Sequence, residues 1–291
     1  MRLDVITGEK IQEVADVYFC DESYLGSHCH NTYIISQNKH KFISSLRENE
    51  IWDNPPIIYC YADWLKEFYA KIDLFKNDFI LVTHNSDYNI TKCDVCLKIA
   101  NHPKIVQWYA QNVCMQHPKL RFLPIGIANR QWQHGSLFVE FYKNLDIETI
   151  ATNKMCDVYF NFQISTNAAK RQPCYDTLKN TLYFLPGMSP FDNFARLSQY
   201  KYCICPEGNG ADTHRLWEAL YLKCVPIVLD SPFIQAVQRE ANLPLVILDS
   251  WDNFRIEDLP PYESFNFDSV GMRVYLSCYD LHNIIRDGFW C

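Results

Sequence analysis

The chain has no stretch of the ~20 apolar residues that a membrane-spanning helix needs. Its opening residues, Met1-Arg2-Leu3-Asp4-Val5, lack the basic patch and apolar run of a secretory leader. We therefore expect a cytoplasmic protein, in a bacterial or viral-host setting, with no membrane span. No basic stretch reaches the density of a nucleic-acid groove, and a net charge of −7 repels a polyanion, so no nucleic-acid partner is expected. A small anionic ligand remains compatible, because a local site can be positive within a negative protein. Neither G-x-G-x-x-G nor G-x-x-x-x-G-K-[ST] occurs, which counts against the common dinucleotide and P-loop sites. There are no internal repeats and no low-complexity segments.

What is present is ordinary globular material. Hydrophobic residues make up 48% and charged residues 21% of the 291, enough apolar content for sizeable cores. At ~150 residues per domain the length suggests two domains. The aromatic share, 15%, is high, and aromatics both fill cores and form flat platforms. The 13 cysteines are odd in number, and many sit in apolar runs such as Tyr202-Cys203-Ile204-Cys205. They read as buried free thiols of a reducing compartment. Cys93-Asp94-Val95-Cys96 is one CxxC without a second pair, and His28-Cys29-His30 is equally alone, so metal or redox roles are minor alternatives for each.

Short apolar runs alternate with helical patterns, which predicts an α/β fold with parallel sheets. In the first half, strands are expected at Pro56–Tyr59, Phe79–Val82, Lys104–Gln107 and Arg121–Pro124, with a helix at Trp64–Phe68. In the second half, strands are expected at Val158–Phe160, Leu182–Leu185, Tyr202–Cys205, Pro226–Leu229 and Leu245–Leu248. Helices are expected around Gln172–Asn180, Phe191–Gln199, Thr213–Leu222 and Phe233–Ala241. The polar patch at Ile150–Lys154 divides the halves. This gives an N-terminal α/β domain over 1–150 and a C-terminal one over 151–267, with a helix in 268–291 that packs back on the first. Two such halves face each other across a cleft, and ligands are expected beyond the carboxyl ends of the strands.

The segment Cys205 to Leu220 carries the sharpest signal. It runs strand, glycine-bearing loop, helix. Gly208 and Gly210 permit positive φ and close backbone approach, and Asp212 is a good N-cap residue. The free N–H groups of the helix start then form an anion site. His214 and Arg215 sit in the first helical turn, where the dipole disfavours cations by ~0.3–1 kcal/mol each. Such placement makes sense if a diphosphate docks there. Glu218 lies three residues beyond Arg215, on the same helix face, where it can accept from ribose hydroxyls. The plainer alternative is a surface i,i+3 ion pair.

The stretch Tyr202–Asp230 resembles the donor-binding signature of exostosin-type glycosyltransferases. The matching residues are Pro206-Glu207-Gly208, Arg215-Leu216-Trp217-Glu218-Ala219-Leu220 and Cys224-Val225-Pro226-Ile227-Val228. Lys223 departs from the pattern, which commonly has Gly before the Cys. The resemblance implies a GT-B fold of two Rossmann-like domains, a nucleotide-sugar donor and inversion at the anomeric carbon. It implies that Arg215 and Glu218 contact diphosphate and ribose. The donor site expected on these grounds comprises Pro206, Glu207, Gly208, Asn209, Gly210, Asp212, Thr213, His214, Arg215 and Glu218. Asn161, Thr166 and Arg171 would approach the phosphates from the loop after the first strand of the second half.

The acceptor side is expected in the first half. Thr83-His84-Asn85-Ser86-Asp87 follows a strand, and an inverting transfer needs a base for the acceptor hydroxyl. Asp87 is the first candidate and His84 the second, although a loop of this composition is also an ordinary turn. Asn129 and Trp132 would line the cleft, Trp132 as a sugar platform or as plain packing. No Asp-x-Asp occurs anywhere, so no essential metal is expected, and the helix dipole and arginines would carry leaving-group charge. The leading expectation is a UDP-sugar-dependent glycosyltransferase acting on a glycan hydroxyl, with a sugar such as xylose, glucuronate or galactose. Alternatives are a GDP-fucose-dependent fucosyltransferase, a non-catalytic nucleotide- or glycan-binding protein, and another phosphate-handling α/β enzyme.

Overall fold

The computed structural model describes residues 4–19, 33–34 and 55–287. The His28-Cys29-His30 cluster lies outside them. The chain forms two parallel sheets flanked by helices, a mixed α/β architecture of Rossmann-like character. The first sheet contains β1 (Val17–Phe19), β2 (Tyr33–Ile34), β3 (Ile57–Tyr61), β4 (Phe79–His84), β5 (Ile105–Ala110) and β6 (Leu120–Phe122), in the order β2-β1-β3-β4-β5-β6. The second contains β7 (Cys156–Tyr159), β8 (Tyr200–Ile204), β9 (Val225–Leu229) and β10 (Val246–Leu248), in the order β10-β9-β8-β7. Every pairing in both sheets is parallel. All six residues of β4 are buried, as a strand covered on both faces requires, and this is why it reads as a continuous apolar run.

Two expected elements differ. Leu182–Leu185 forms no strand. Leu185 N–H donates to the Phe160 carbonyl at 2.9 Å, but no ladder follows. Phe184 instead packs edge-on against Phe160 (4.9 Å) and Tyr175 (5.0 Å), so its apolar character serves an aromatic cap. The tail breaks at Ser277, whose backbone is extended, into the helices Val270–Leu276 and Cys278–Asp287. The second of these lies against the helix Gly8–Glu13, with His282 Nε2 donating to the Lys10 carbonyl at 2.6 Å.

The sheets are not joined by a thin waist. One apolar cluster includes residues from Val5 to Ile285 and draws on both halves. Phe122 of β6 stacks on Tyr275 at 4.5 Å, and Phe138 of the helix Gln133–Asn144 meets Phe194 of the second half at 4.9 Å. A smaller cluster, with Phe160, Tyr202 and Trp251, fills the far side of the second sheet. No helix among the described residues is long and apolar enough to cross a membrane.

Candidate functional site

The helix His214–Tyr221 organises the site. Successive residues of a helix point about 100° apart, and the first three here face three different cavities. His214 lines the first, Arg215 and Glu218 the second, and Leu216 the third. Thr213 is the N-cap but makes no side-chain cap bond.

The first cavity, about 480 Å³, lies beyond the carboxyl ends of β3, β4 and β5. Its lining includes Tyr61, Asp87, Gln111, Asn129 and Trp132. Asp87 is exposed, and Trp132 is 57% exposed with its ring available to the cavity. Asn129 is braced rather than free. Its Oδ1 accepts from Glu9 N–H at 3.1 Å and its Nδ2 donates to Asn85 Oδ1 at 3.3 Å. Gly8 closes the edge so tightly that a Cβ there would fall 1.7 Å from Asn85 Oδ1. His84 does not reach this space. It is fully buried, its Nε2 donates to the Pro124 carbonyl at 2.9 Å, and burial pushes its pKa down to about 4. The expectation of His84 as a base meets this obstacle: a hydroxyl would have no path to it.

The second cavity, about 430 Å³, contains Asn161, Asn193, Arg215, Glu218 and His134. Arg215 donates from NH1 to the Asn161 carbonyl at 2.8 Å, from Nε to Glu218 Oε2 at 3.2 Å and from NH2 to Asn193 Oδ1 at 3.5 Å. Its guanidinium also lies 5.5 Å over the Tyr159 ring. Burial is the largest single influence and works against its charge, but the Glu218 carboxylate together with Cys203, Tyr159 and Cys205 outweighs it and holds its pKa above the ordinary value. Arg171 comes to the same loop from the other side. It donates to the carbonyls of Gln163 at 2.9 Å and Glu207 at 3.0 Å. Burial, and then repulsion from Arg215, lower its pKa. Two largely buried guanidiniums thus meet the backbone of residues 161–163, Arg215 from inside the cavity with Glu218 and Arg171 from outside it.

The third cavity, about 280 Å³, opens at the carboxyl ends of β8 and β9 and is lined by Pro206, Glu207, Thr213, Asp230 and Trp251 among others. Glu207 pairs with Lys170 at 2.9 Å.

The glycine-bearing loop differs from its expected form. Gly126 is the glycine with positive φ among the described residues, and neither Gly208 nor Gly210 uses that region. Gly210 is needed for proximity instead, since a Cβ would come 2.8 Å from the Asn112 side chain. The Gly208 carbonyl accepts from Asn167 Nδ2 at 2.6 Å. Two N–H groups that a phosphate would use are already taken: Ala211 donates to Asn89 Oδ1 at 3.0 Å and Asp212 to Asn112 Oδ1 at 2.8 Å. Asp212 is not the N-cap. It is buried, accepting from Ile125 N–H at 2.6 Å and Trp217 Nε1–H at 2.7 Å, and burial raises its pKa to about 7. The loop therefore fastens the two halves together, because polar groups buried at such a junction must find partners. Thr166 and Asn209 are exposed and line none of the three cavities.

Sequence reasoning missed His134, Asn193 and Asn112, whose roles come from residues distant along the chain. The His134 and His214 rings lie 6.4 Å apart, so the first and second cavities adjoin across that pair. Among the described residues no group of three or more His, Cys, Asp or Glu could hold a metal ion, and Cys93 and Cys96 are free thiols.

No family model matches the chain. Over 100 residues it is 30% identical to a protein of Arabidopsis thaliana described as a "Probable glycosyltransferase". The match takes in 33% of this chain but only 17% of that protein, so the chain spans a small part of the relative's length. This likeness supports a glycosyltransferase in general terms.

Proposed function

We propose that the protein is a glycosyltransferase that moves a sugar from a UDP-sugar to a glycan hydroxyl with inversion, on a GT-B-like frame of two facing α/β halves. One observation carries the reading. The second cavity, with the Arg215 guanidinium and Glu218, adjoins a cavity with a carboxylate and an exposed indole. In the former, Arg215 suits a diphosphate, and Arg171, outside the cavity on the other side of residues 161–163, adds positive charge behind it. Three N–H groups of Arg215 have oxygen partners and Cys203 Sγ takes a further one, which fixes the plane of the guanidinium at the cavity wall. Glu218, one turn on, suits ribose hydroxyls. In the other cavity, Trp132 offers a face for a sugar ring and Asp87 a negative charge.

On this reading the acceptor oxygen attacks the anomeric carbon while the nucleoside diphosphate leaves toward Arg215, which carries its charge in place of a metal. The similarity to a probable glycosyltransferase agrees with it. The test is a thermal-shift screen against UDP, GDP and a panel of UDP-sugars in EDTA, followed by donor turnover. Ligand at a hundred times its dissociation constant adds about 2.7 kcal/mol. A shift with UDP and one UDP-sugar supports the reading. A shift with GDP alone favours a fucosyl donor, and binding without turnover favours a non-catalytic protein.

A further inference from the structure

The inference here rests on the glycosyltransferase reading and concerns the proton that the acceptor hydroxyl must lose. We propose that His214 is the catalytic base, its Nε2 taking that proton. Sequence reasoning placed His214 among donor-binding cations, but the geometry gives it other work.

His214 Nδ1 lies 2.8 Å from the Gly126 carbonyl oxygen. A carbonyl only accepts, so Nδ1 must carry the hydrogen, and in the neutral ring Nε2 keeps its lone pair. The partner carbonyl is itself fixed. Gly126 sits at φ 65°, in a place where a Cβ would come 2.4 Å from the Ile6 carbonyl oxygen. The tautomer is therefore set by backbone, much as a second group orients the histidine of a catalytic pair.

Placement supports the same conclusion. His214 lines the cavity of Asp87 and Trp132, while the next residue, Arg215, lines the second cavity with Glu218. An imidazole between the acceptor space and the Arg215 guanidinium stands where the proton is released. Four titratable groups face it. Asp87 on the loop after β4 and Glu218 one turn along its own helix favour the protonated ring. His134 on the helix Gln133–Asn144 and His84 at the end of β4 oppose it. Burial has the largest effect and lowers the His214 pKa, so the ring rests neutral near pH 7. A helix N-terminus acts in the same direction on any cation.

The step balances. The acceptor oxygen bonds to the anomeric carbon as its proton passes to Nε2. The bond from that carbon to the diphosphate oxygen breaks, and the electron pair leaves with the diphosphate. The imidazolium, steadied by Asp87 and Glu218, later returns its proton to water.

The test compares wild type with His214→Asn and His214→Gly in a sugar-transfer assay. The Asn amide reaches the Nδ1 position and can still donate to Gly126, but has nothing at Nε2. We expect kcat to fall about 10²–10⁴-fold in His214→Asn. Its KM for the donor should stay near the wild-type value. The acid limb of the kcat/KM profile, below the usual imidazole pKa, should disappear, and added imidazole should restore turnover to His214→Gly. If wild type transfers sugar and His214→Asn stays within about threefold of it with the acid limb intact, the assignment is overturned while the transferase reading stands. If wild type turns over no nucleotide sugar, the reading falls and the assignment with it.

Discussion

Asp212 in the second half holds the backbone N–H of Ile125 in the first at 2.6 Å, and the same carboxylate accepts from Trp217 Nε1 at 2.7 Å. Removing it strands two buried donors. Asp212→Ala is expected to lower stability on the order of 3 kcal/mol, read as a drop in the urea midpoint with little change in slope. A loss below about 0.5 kcal/mol would mean that the contact does not tie the halves together.

Arg215 presents a planar fork to the second cavity, so charge alone does not replace it. Arg215→Lys is expected to weaken UDP binding by calorimetry roughly 10-fold or more, and Arg215→Ala to cut turnover about 10²–10³-fold. Equal affinity in Arg215→Lys and wild type would move the diphosphate out of the second cavity.

Trp132 is mostly exposed and supports little of the core. Trp132→Ala is expected to leave the melting temperature within a degree or two and to raise the acceptor KM about 10-fold, with the donor KM unchanged. A raised donor KM would place the sugar platform elsewhere.

His84 is buried as a neutral ring, with a pKa of about 4 against 6.5 when the chain unfolds. Between those values the unfolded chain binds the extra proton. Stability therefore holds above pH 6.5 and is lost as pH falls toward 4, by up to about 3 kcal/mol from this group. In His84→Gln, urea titrations across that window should show a shallower acid decline. An unchanged decline would assign the loss to other groups.

The sequence made the central strands legible because β3 and β4 are nearly continuous apolar runs covered on both faces, whereas β5 is so only from Trp108 to Ala110, with Val106 exposed. The same composition misled at Leu182–Leu185, where aromatic packing on Phe160 replaces a ladder. Arg215 and Glu218 were readable as a pair because helix spacing is local, and they do share a cavity. The loop before them was not readable. Its partners, Asn89 and Asn112, come from more than 90 residues away, and no local pattern announces that they occupy its N–H groups. Nor does adjacency in sequence reveal that His214 and Arg215 face different cavities.

The phenol of Tyr221 lies at the far end of the helix that bears His214. It accepts from Ile6 N–H at 2.8 Å and donates to the Leu276 carbonyl at 3.0 Å. One ring thus pins the start of the first half, the helix of the second half and the tail. A jaw-like opening of the halves would have to break the Ile6 bond and, with it, either the Leu276 bond or the Phe122–Tyr275 stack, according to which half the tail follows. On the proposed function, a fixed slot rather than a closing mouth is then expected. Ligand exchange would need only side chains and loops to move, and nucleotide association followed by stopped flow should be a single phase whose rate rises linearly with ligand concentration.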